Sequence, residues 1–519
     1  MFTTEKAKSG NLTLVYNNKF IHSRYNPVSE ANTYFKTQNI NTNTKLFILI
    51  GPGLGYLINS IKLEIPNAVI FTIHLDKITY NNSIKSDFDN LYIKDIDLFK
   101  ELSYFISDFR LPEVKIIKWI PYTSIFPQKT LEIEKIIQQF FQERKGSIYT
   151  IGNFGKTWFR NIFFNYTEKN QITKIRNINS TIVIAASGPS LSDSWKVLKL
   201  HRENFILAAL PSSLVALKNE DIIPDVIFHT DPGFWAKEHL KSIPNDKVPI
   251  VMPLTASFEP KLQNPLILIN QNSCIENFLL EQNILNIQAH GTVAGTAYLF
   301  FRKFTLNPII FIGLDLCYTD VHEHVHPHSF DILITEKQNR ISGYLNLLYQ
   351  KQQINGHIAI NNTKTNTAFS IYSGWFNRKD KLNNVYRYNA SLIKTAGLND
   401  ISTSKLQNLL SKSKKSFDFE INNNCHFEKQ QLVKLLEKIK LLLNEFYNNI
   451  DKLNMDSICI FFSNKSLLLE IFQYTSYPEI INLSHYYRTN INKSKIILLK
   501  IYTNSFDFIS KYLERFSNG

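Results

Sequence analysis

The chain has 519 residues, of which 44% are hydrophobic and 13% aromatic, and 58 Lys and Arg against 44 Asp and Glu give it a net charge of +14. This composition excludes an intrinsically disordered chain. The positive charge permits an anionic partner. Because the basic residues are spread along the chain, we interpret them as a solvated surface and expect no nucleic-acid partner.

The four cysteines are Cys274, Cys317, Cys425 and Cys459, and none forms a C-x-x-C pair. This spacing argues against a disulfide framework and against a zinc site. The first ten residues are polar, without the apolar core of a signal peptide. The chain also has no run of about 18 uninterrupted apolar residues. We therefore expect a cytoplasmic protein without a membrane span.

Residues 1–150 begin with a polar segment and then predict a small α/β domain. The apolar run Leu46–Ile50 enters a glycine-rich turn at residues 51–56 (GPGLGY), a helix-like stretch follows, and residues 68–73 resemble a second strand. Such a turn could hold a dinucleotide or S-adenosylmethionine, with Asp76 near the ribose, but its spacing departs from G-x-G-x-x-G.

Residues 151–400 alternate short apolar runs with helix-like segments, which predicts a central Rossmann-like domain with a parallel sheet. Residues 401–519 predict a mostly helical region, because residues 427–453 and 496–516 have apolar positions at helical spacing. The predicted fold class is therefore α/β. The predicted central strands are residues 181–186, 205–210, 226–229, 249–254, 266–269 and 308–313.

A turn of small residues follows the first central strand. It comprises Ser187, Gly188, Pro189, Ser190 and Leu191. Parallel strands deliver their carboxyl ends to the ligand crevice of such folds. Gly188 would let the backbone approach a phosphate or ribose, and the next helix would offer hydrogen-bond donors. The alternative is an ordinary strand-to-helix turn.

Two further segments follow strand ends or precede a helix. Asp231 could hold a ribose hydroxyl or a metal, or could form an Asx-type turn before Pro232. Gly291 and Thr292 begin a run of small residues, which allows close approach either to a ligand or to a neighbouring strand.

Asp315 ends another apolar strand, and Tyr318 and four alternating histidines follow it (His322, His324, His326 and His328). Alternation would place the histidines on one face of an extended segment. No Cys or acid pair completes a familiar metal spacing. A single histidine acting as a general base is the more attractive hypothesis, since its ordinary pKa lies near neutrality. A solvated loop is the remaining alternative.

These segments together resemble the motility-associated factor (Maf) glycosyltransferases, whose central domain is also described as 6-hydroxymethylpterin diphosphokinase (MptE)-like. The order and spacing fit over residues 20–400. The matching motifs are residues 22–31 (HSRYNPVSEA), 51–56 (GPGLGY), 188–191 (GPSL), 224–225 (PD) with Asp231, 291–294 (GTVA), 313–316 (GLDL) and 386–391 (YRYNAS).

The resemblance implies transfer of pseudaminic or legionaminic acid, which are nonulosonic acids, from a CMP-activated donor to Ser or Thr of flagellin. It also implies a similarity to bacterial sialyltransferases. By that similarity residues 187–191, Asp231, Gly291 and Thr292 would border the nucleotide sugar, and Asp315 would anchor the reacting loop. Tyr318, offset by one residue from the sialyltransferase pattern, would contact the departing phosphate, and His324 would be the base.

Because CMP has one phosphate, we expect no metal and no cofactor besides the donor substrate. Two alternatives remain open. One is a pterin pyrophosphokinase that uses ATP and Mg²⁺, with Asp225, Asp231 and Asp315 as metal ligands. The other is a non-catalytic nucleotide-sugar-binding protein.

Overall fold

The structure is a computed structural model, and its chain divides into two compact units. The first comprises Met1–Gly152, Leu443–Lys465 and Thr475–Phe506, and the second comprises Asn153–Leu442, Ser466–Tyr474 and Asp507–Gly519. The structure describes residues 2–92, 98–106, 108–168, 172–243, 246–259, 261–280, 284–289, 291–358, 363–377, 384–389, 391–422, 428–452, 466–486 and 490–517.

The first unit contains a parallel sheet in the order β6-β5-β4-β7 and a three-stranded antiparallel sheet β1-β2-β3. All five residues of β4 are buried, because helices and loops cover both faces of this parallel sheet. The elements are β1 (Phe2–Lys6), β2 (Leu12–Tyr16), β3 (Lys19–Phe20), α1 (Pro27–Thr37), β4 (Leu46–Ile50), α2 (Tyr56–Glu64), β5 (Val69–His74), α3 (Lys77–Asn82), β6 (Phe88–Leu91), α4 (Leu98–Phe105), β7 (Val114–Lys118), α5 (Ile120–Thr123) and the long helix α6 (Pro127–Glu168), of which the residues up to Gly152 belong to this unit.

The second unit is built on a sheet of nine parallel strands. Its elements are β8 (Ile172–Ile178), β9 (Ile182–Ala185), α7 (Trp195–Leu200), β10 (Ile206–Ala209), α8 (Leu214–Asn219), β11 (Val226–Phe228), α9 (Phe234–Leu240), β12 (Ile250–Met252), β13 (Leu266–Asn270), α10 (Cys274–Leu279), β14 (Leu285–Asn286), α11 (Val293–Arg302), β15 (Ile309–Ile312), α12 (Asp331–Lys337), α13 (Tyr344–Asn355), β16 (Gly356–Ile358), β17 (Lys364–Asn366), α14 (Thr367–Asn377), β18 (Val385–Tyr388), β19 (Asn399–Ile401), α15 (Thr403–Ser411) and β20 (Phe417–Asn422).

Three long helices follow: α16 (Lys429–Asn449), α17 (Ser466–Tyr486) and α18 (Ile491–Ser517). Their residues are divided between the two units. Helix α17 has a kink at Ser476, two residues before Pro478. Within the described ranges, no helix combines the length and the apolar character needed to cross a membrane.

The strand order of the large sheet is β14-β13-β12-β11-β10-β9-β15-β18-β19. Strands β10 to β14 extend in sequence to one side of β9, while β15, β18 and β19 lie on its other side. The order therefore reverses between β9 and β15, whose Ala185 and Ile312 are register partners. In open parallel sheets, such a reversal opens a ligand crevice beyond the carboxyl ends of the two strands.

The predicted α/β fold class is confirmed, and each predicted central strand corresponds to an observed strand. Strands β14, β18 and β19 were not predicted, because they are short or carry polar residues such as Arg387 and Asp400. The predicted domain boundaries near residues 150 and 400 fall within α6 and β19. The three-part division of the chain remains a prediction.

Candidate active site

Two loops come together where β9 and β15 end. The hydrogen-bond ladder between the strands continues past their ends, with the Ala186 N–H donating to the Ile312 carbonyl at 2.9 Å and the Gly188 N–H to the Gly313 carbonyl at 2.7 Å. A Cβ atom on Gly188 would lie 2.6 Å from both the Gly313 carbonyl oxygen and Asp315 Oδ2. Glycine is therefore required here by the packing of the two loops.

Ser190 and Asp315 join these loops directly. The Ser190 N–H donates to Asp315 Oδ2 at 2.8 Å, and the Ser190 hydroxyl donates a short hydrogen bond to Oδ1. The Leu191 N–H donates to the Gly188 carbonyl at 3.0 Å. Burial raises the pKa of Asp315, against the opposing effect of the hydrogen bonds from Ser190.

These bonds correct one expectation from the sequence, namely that backbone N–H groups after Gly188 hold a phosphate. The Ser190 N–H donates to Asp315 of the neighbouring loop, the Leu191 N–H donates to the Gly188 carbonyl within the turn, and Pro189 has no N–H. The fold brings the Asp315 carboxyl group beside the turn. This carboxyl group accepts the hydrogen bond that an external anion was expected to accept. The proposed border of residues 187–191 with a nucleotide remains a prediction.

Ser187 holds the histidine-containing loop. Its carbonyl accepts the Val325 N–H at 2.7 Å, and its hydroxyl lies 3.1 Å from Nδ1 of His324. Burial lowers the pKa of His324. The imidazole is therefore neutral at neutral pH and can accept a proton.

The alternation of the four histidines suggested that they share one face of an extended segment, but the structure shows that they do not. His324 and His328 stack, with ring centroids 4.3 Å apart and planes at 12°. The His326 ring is 64% exposed and pairs instead with Asp331 at 2.7 Å. The Thr319 N–H and carbonyl each hydrogen-bond the backbone of His322 at 3.0 Å. The segment folds through turns, which separates residues that a strand would align.

A further histidine, His239 of α9, joins the stacked pair. Its ring centroid lies 5.3 Å from that of His328. Burial, together with the smaller effect of the neighbouring histidines, lowers the pKa of His239 to about 4 and that of His328 to about 2. Within the described part of the chain, no three His, Cys, Asp or Glu side chains are grouped so that they could hold a metal ion.

Tyr318 follows Asp315 on the same loop. Its N–H donates to the Lys364 carbonyl at 2.9 Å. Its hydroxyl is buried beside the Asn366 side chain and makes no hydrogen bond of standard geometry among the described residues. Burial raises the pKa of this hydroxyl, so it stays protonated and can donate to a ligand.

Asp231 lies in the loop after β11, and Thr292 lies at the start of α11. Asp231 is exposed, and its Oδ1 accepts the Gly233 N–H at 2.7 Å, which is the Asx-type turn considered from the sequence. Gly291 has φ +71°, and Thr292 is the buried N-cap residue of α11. A Cβ on Gly295 would lie 2.9 Å from Thr292 Cγ2, so close packing accounts for that glycine. Contact of these residues with a nucleotide remains a prediction.

Strand β18 and the loop after it add residues that were not predicted as site residues. The Ser391 hydroxyl donates a short hydrogen bond to the Asp315 carbonyl. Arg387 is 1% exposed and donates to Asp400 Oδ1 at 2.7 Å. The sequence signal was the arginine within residues 386–391, which the resemblance included without a role. The loop thereby fixes the Asp315 backbone as Ser190 fixes its side chain.

The glycine-rich turn of the first unit is filled by its own chain. Gly51, Gly53 and Gly55 have φ values of +61°, +63° and +85°. The Leu54 N–H donates to Nε2 of His22 at 2.9 Å. Asp76, considered as a ribose ligand, caps α3 by accepting N–H groups from Ile78 and Thr79. The groups expected to meet a dinucleotide are therefore engaged within the protein.

Comparisons with known proteins bear on the family and the fold. Residues 156–321 match the family described as 6-hydroxymethylpterin diphosphokinase MptE-like. Two uncharacterized proteins of Treponema pallidum (strain Nichols) are similar in sequence. One is 27% identical over 229 residues, which are 43% of this chain and 51% of the relative. The other is 25% identical over 117 residues, 22% of this chain and 56% of the relative. The chain thus spans about half the length of these curated relatives.

Among solved structures, the MAf glycosyltransferase from Magnetospirillum magneticum AMB-1 has the same fold. The TM-score is 0.60 at 11% sequence identity, over 100% of this chain and 92% of the other. The central region has a Rossmann-like fold, and residues 156–321 within it are similar to the MptE-like family. The resemblance to the Maf proteins is then confirmed, by this domain together with the shared fold.

Proposed function

We propose that this protein is a glycosyltransferase that transfers a nonulosonic acid from its CMP-activated form to Ser or Thr of flagellin. The sugar would be pseudaminic or legionaminic acid. The reaction would take place in the cytoplasm and serve flagellar assembly and motility. One observation carries the proposal: the turn after β9 and the loop after β15 meet at the strand-order reversal, with His324 beside Ser187.

The proposed reaction is an inverting displacement. The acceptor hydroxyl gives its proton to His324 as its oxygen bonds to the anomeric carbon. The bond between that carbon and the phosphate oxygen breaks, and its electron pair leaves with CMP. Because burial lowers the pKa of His324, its ring is unprotonated at neutral pH, which is the form that a general base requires. If Nδ1–H donates to the Ser187 hydroxyl, Nε2 is free to take the proton.

The leaving phosphate would receive its hydrogen bond from Tyr318. The hydroxyl is buried, is protonated at neutral pH, and has no standard hydrogen bond among the described residues. A donor that is already desolvated and fixed stabilises developing negative charge more strongly than a donor in water. The net charge of +14 would help to attract the anionic donor.

The pterin pyrophosphokinase alternative needs carboxylates that converge on a magnesium nucleotide. Asp225 precedes β11, whereas Asp315 follows β15, and these strands run parallel in one sheet. Asp225 therefore lies at the end of the sheet where the strands begin, and Asp315 at the end where they finish. Asp225 also pairs with Arg202 at 2.9 Å and with Lys415 at 2.6 Å. This arrangement argues against a magnesium site that includes Asp225, whereas Asp231 and Asp315 both follow the carboxyl ends of their strands.

A thermal-shift series tests the proposal. A ligand that binds only the native state stabilises it by RT ln(1 + [L]/Kd), so the unfolding temperature rises with the logarithm of the ligand concentration relative to Kd. We expect CMP to stabilise the purified protein more than ATP with Mg²⁺ does. Stabilisation by ATP with Mg²⁺ alone would favour the kinase. Binding of CMP without release of CMP from any CMP-nonulosonate would favour the non-catalytic alternative.

A further inference from the structure

His328 has a defined tautomer. Its Nδ1 accepts the Phe330 N–H at 3.3 Å, so the ring proton of the neutral imidazole is on Nε2. The residue is 4% exposed, and Nε2 has no hydrogen-bond partner among the described residues. His328 therefore presents a buried N–H donor. Burial keeps the pKa of the ring near 2, so the donor stays neutral throughout the physiological range.

An unpartnered nitrogen alone does not mark a site. His22, His74 and His229 also each have a buried ring nitrogen without a partner in the described structure. What distinguishes His328 is its position, because its ring is stacked 4.3 Å from that of His324, with the planes 12° apart. A group that touches the base is close to the carbon at which the base promotes attack.

We propose that the Nε2–H of His328 binds the carboxylate that a nonulosonic acid carries on its anomeric carbon. This inference rests on the proposed function. In an inverting displacement the acceptor and the leaving phosphate occupy opposite faces of the anomeric carbon. The carboxylate lies between these faces, so it is nearer than the phosphate to a group on the base's side. Neutral hexose donors lack this carboxylate, so His328 would select for acidic sugars.

The neighbours of His328 favour a donor role over a second base. Phe330 packs on the ring with centroids 5.0 Å apart, and His239 lies 5.3 Å away. The N–H of His328 also donates to Asp331 Oδ2 at 2.6 Å, which fixes the backbone under the ring. Because these contacts fix the His328 ring, its Nε2–H points in one direction. The side chain therefore loses little conformational entropy when a ligand binds.

Two substitutions separate binding from structure. His328→Phe keeps a flat ring for the stack and removes the donor, while His328→Gln keeps an N–H near the position of Nε2. With CMP-N-acetylneuraminic acid as the probe, we expect His328→Phe to raise the donor KM about tenfold or more, since one charge-assisted hydrogen bond is lost. The affinity for CMP alone and the pH profile of kcat should stay unchanged, and His328→Gln should recover most of the donor KM.

Each result decides the inference. An unchanged donor KM in His328→Phe overturns it, as does an equal loss of affinity for CMP, because CMP has no carboxylate. Equal damage in His328→Gln and His328→Phe would show a structural role and overturn it as well. If the wild-type protein neither binds CMP nor hydrolyses CMP-N-acetylneuraminic acid, CMP-pseudaminic acid or CMP-legionaminic acid, the proposed function itself fails, which is a distinguishable outcome.

Discussion

The hydroxyl of Ser187 lies 3.1 Å from Nδ1 of His324, although 137 positions separate the two residues in the sequence. The Ser187 carbonyl also accepts the Val325 N–H at 2.7 Å. One residue at the end of β9 thus holds both the backbone and the ring of the histidine loop. This contact adds a second expected role for Ser187, that of orienting the base, beside the predicted contact with the nucleotide.

Replacing Ser187 tests that role. If Ser187 orients His324, Ser187→Ala should lower kcat about tenfold and leave the donor KM within about twofold, because the loss is felt in the transition state. Steady-state kinetics with a CMP-nonulosonate measure both constants. Ser192→Ala is the matched control, since this exposed serine of the same turn bonds only locally to the Pro189 carbonyl in the described contacts. A raised KM with an unchanged kcat would show that Ser187 binds the nucleotide donor and does not orient His324.

The pH dependence of kcat tests His324 as the base. Burial lowers its pKa from the ordinary value of 6.5. The base form is then already complete at neutral pH, so kcat should be flat above about pH 6.5 and fall only on the acid side. A pH series of single-turnover rates locates this acid limb. A midpoint above 6.5 would contradict the assignment of His324 as the base.

Gly188→Ala should destabilise the second unit. The new methyl group would lie 2.6 Å from Asp315 Oδ2 and from the Gly313 carbonyl oxygen, so one loop must move. Such overpacking costs roughly 1–3 kcal/mol. The control is Gly343→Ala, where a Cβ would meet nothing within 4 Å. Urea unfolding monitored by tryptophan fluorescence compares the variants. Equal midpoints would show that the two loops can separate at little cost.

His22 should make the first unit sensitive to acid. Burial lowers its pKa to about 3 from 6.5. The unfolded chain therefore takes up the proton first, and the stability present above about pH 6.5 is lost as the pH falls, by about 1.4 kcal/mol per pH unit. His22→Gln keeps an acceptor for the Leu54 N–H and cannot titrate in this range.

Urea titrations at several pH values between about 4 and 7 measure this effect, because the group protonates in that window in the unfolded state only. The wild-type protein should lose stability more steeply than His22→Gln. Parallel slopes for the two proteins would mean that His22 is already protonated in the native state.

The central strands could be predicted from the sequence because a parallel sheet covered on both faces requires continuous apolar runs, as in Ile182–Ala185 and Ile309–Ile312. The edge strand Asn399–Ile401 has no such run and was not predicted. The reversal of strand order between β9 and β15 depends on which strands pair in the sheet. No single sequence motif determines this pairing, so the reversal could not be predicted.

The contacts of the site were less predictable than its position. The pattern at residues 187–191 indicated a crevice turn, but the acceptor of the Ser190 N–H is Asp315, which is 125 positions away. Alternation of the histidines suggested one face, whereas turns in the loop place His326 against Asp331 and stack His328 on His324. Side-chain partners in loops depend on tertiary packing, which sequence spacing does not encode.

The most direct test of the central claim is intact-mass spectrometry of flagellin after incubation with this protein and CMP-pseudaminic or CMP-legionaminic acid, with the released CMP measured in parallel. We predict one or more added nonulosonic acid masses per flagellin and an equal amount of CMP. His324→Ala should slow transfer about a hundredfold or more, while His326→Ala, which removes the exposed histidine of the same loop, should retain it. Full transfer by His324→Ala would show that His324 is not the base. Unmodified flagellin and no released CMP with the wild-type protein would contradict the claim.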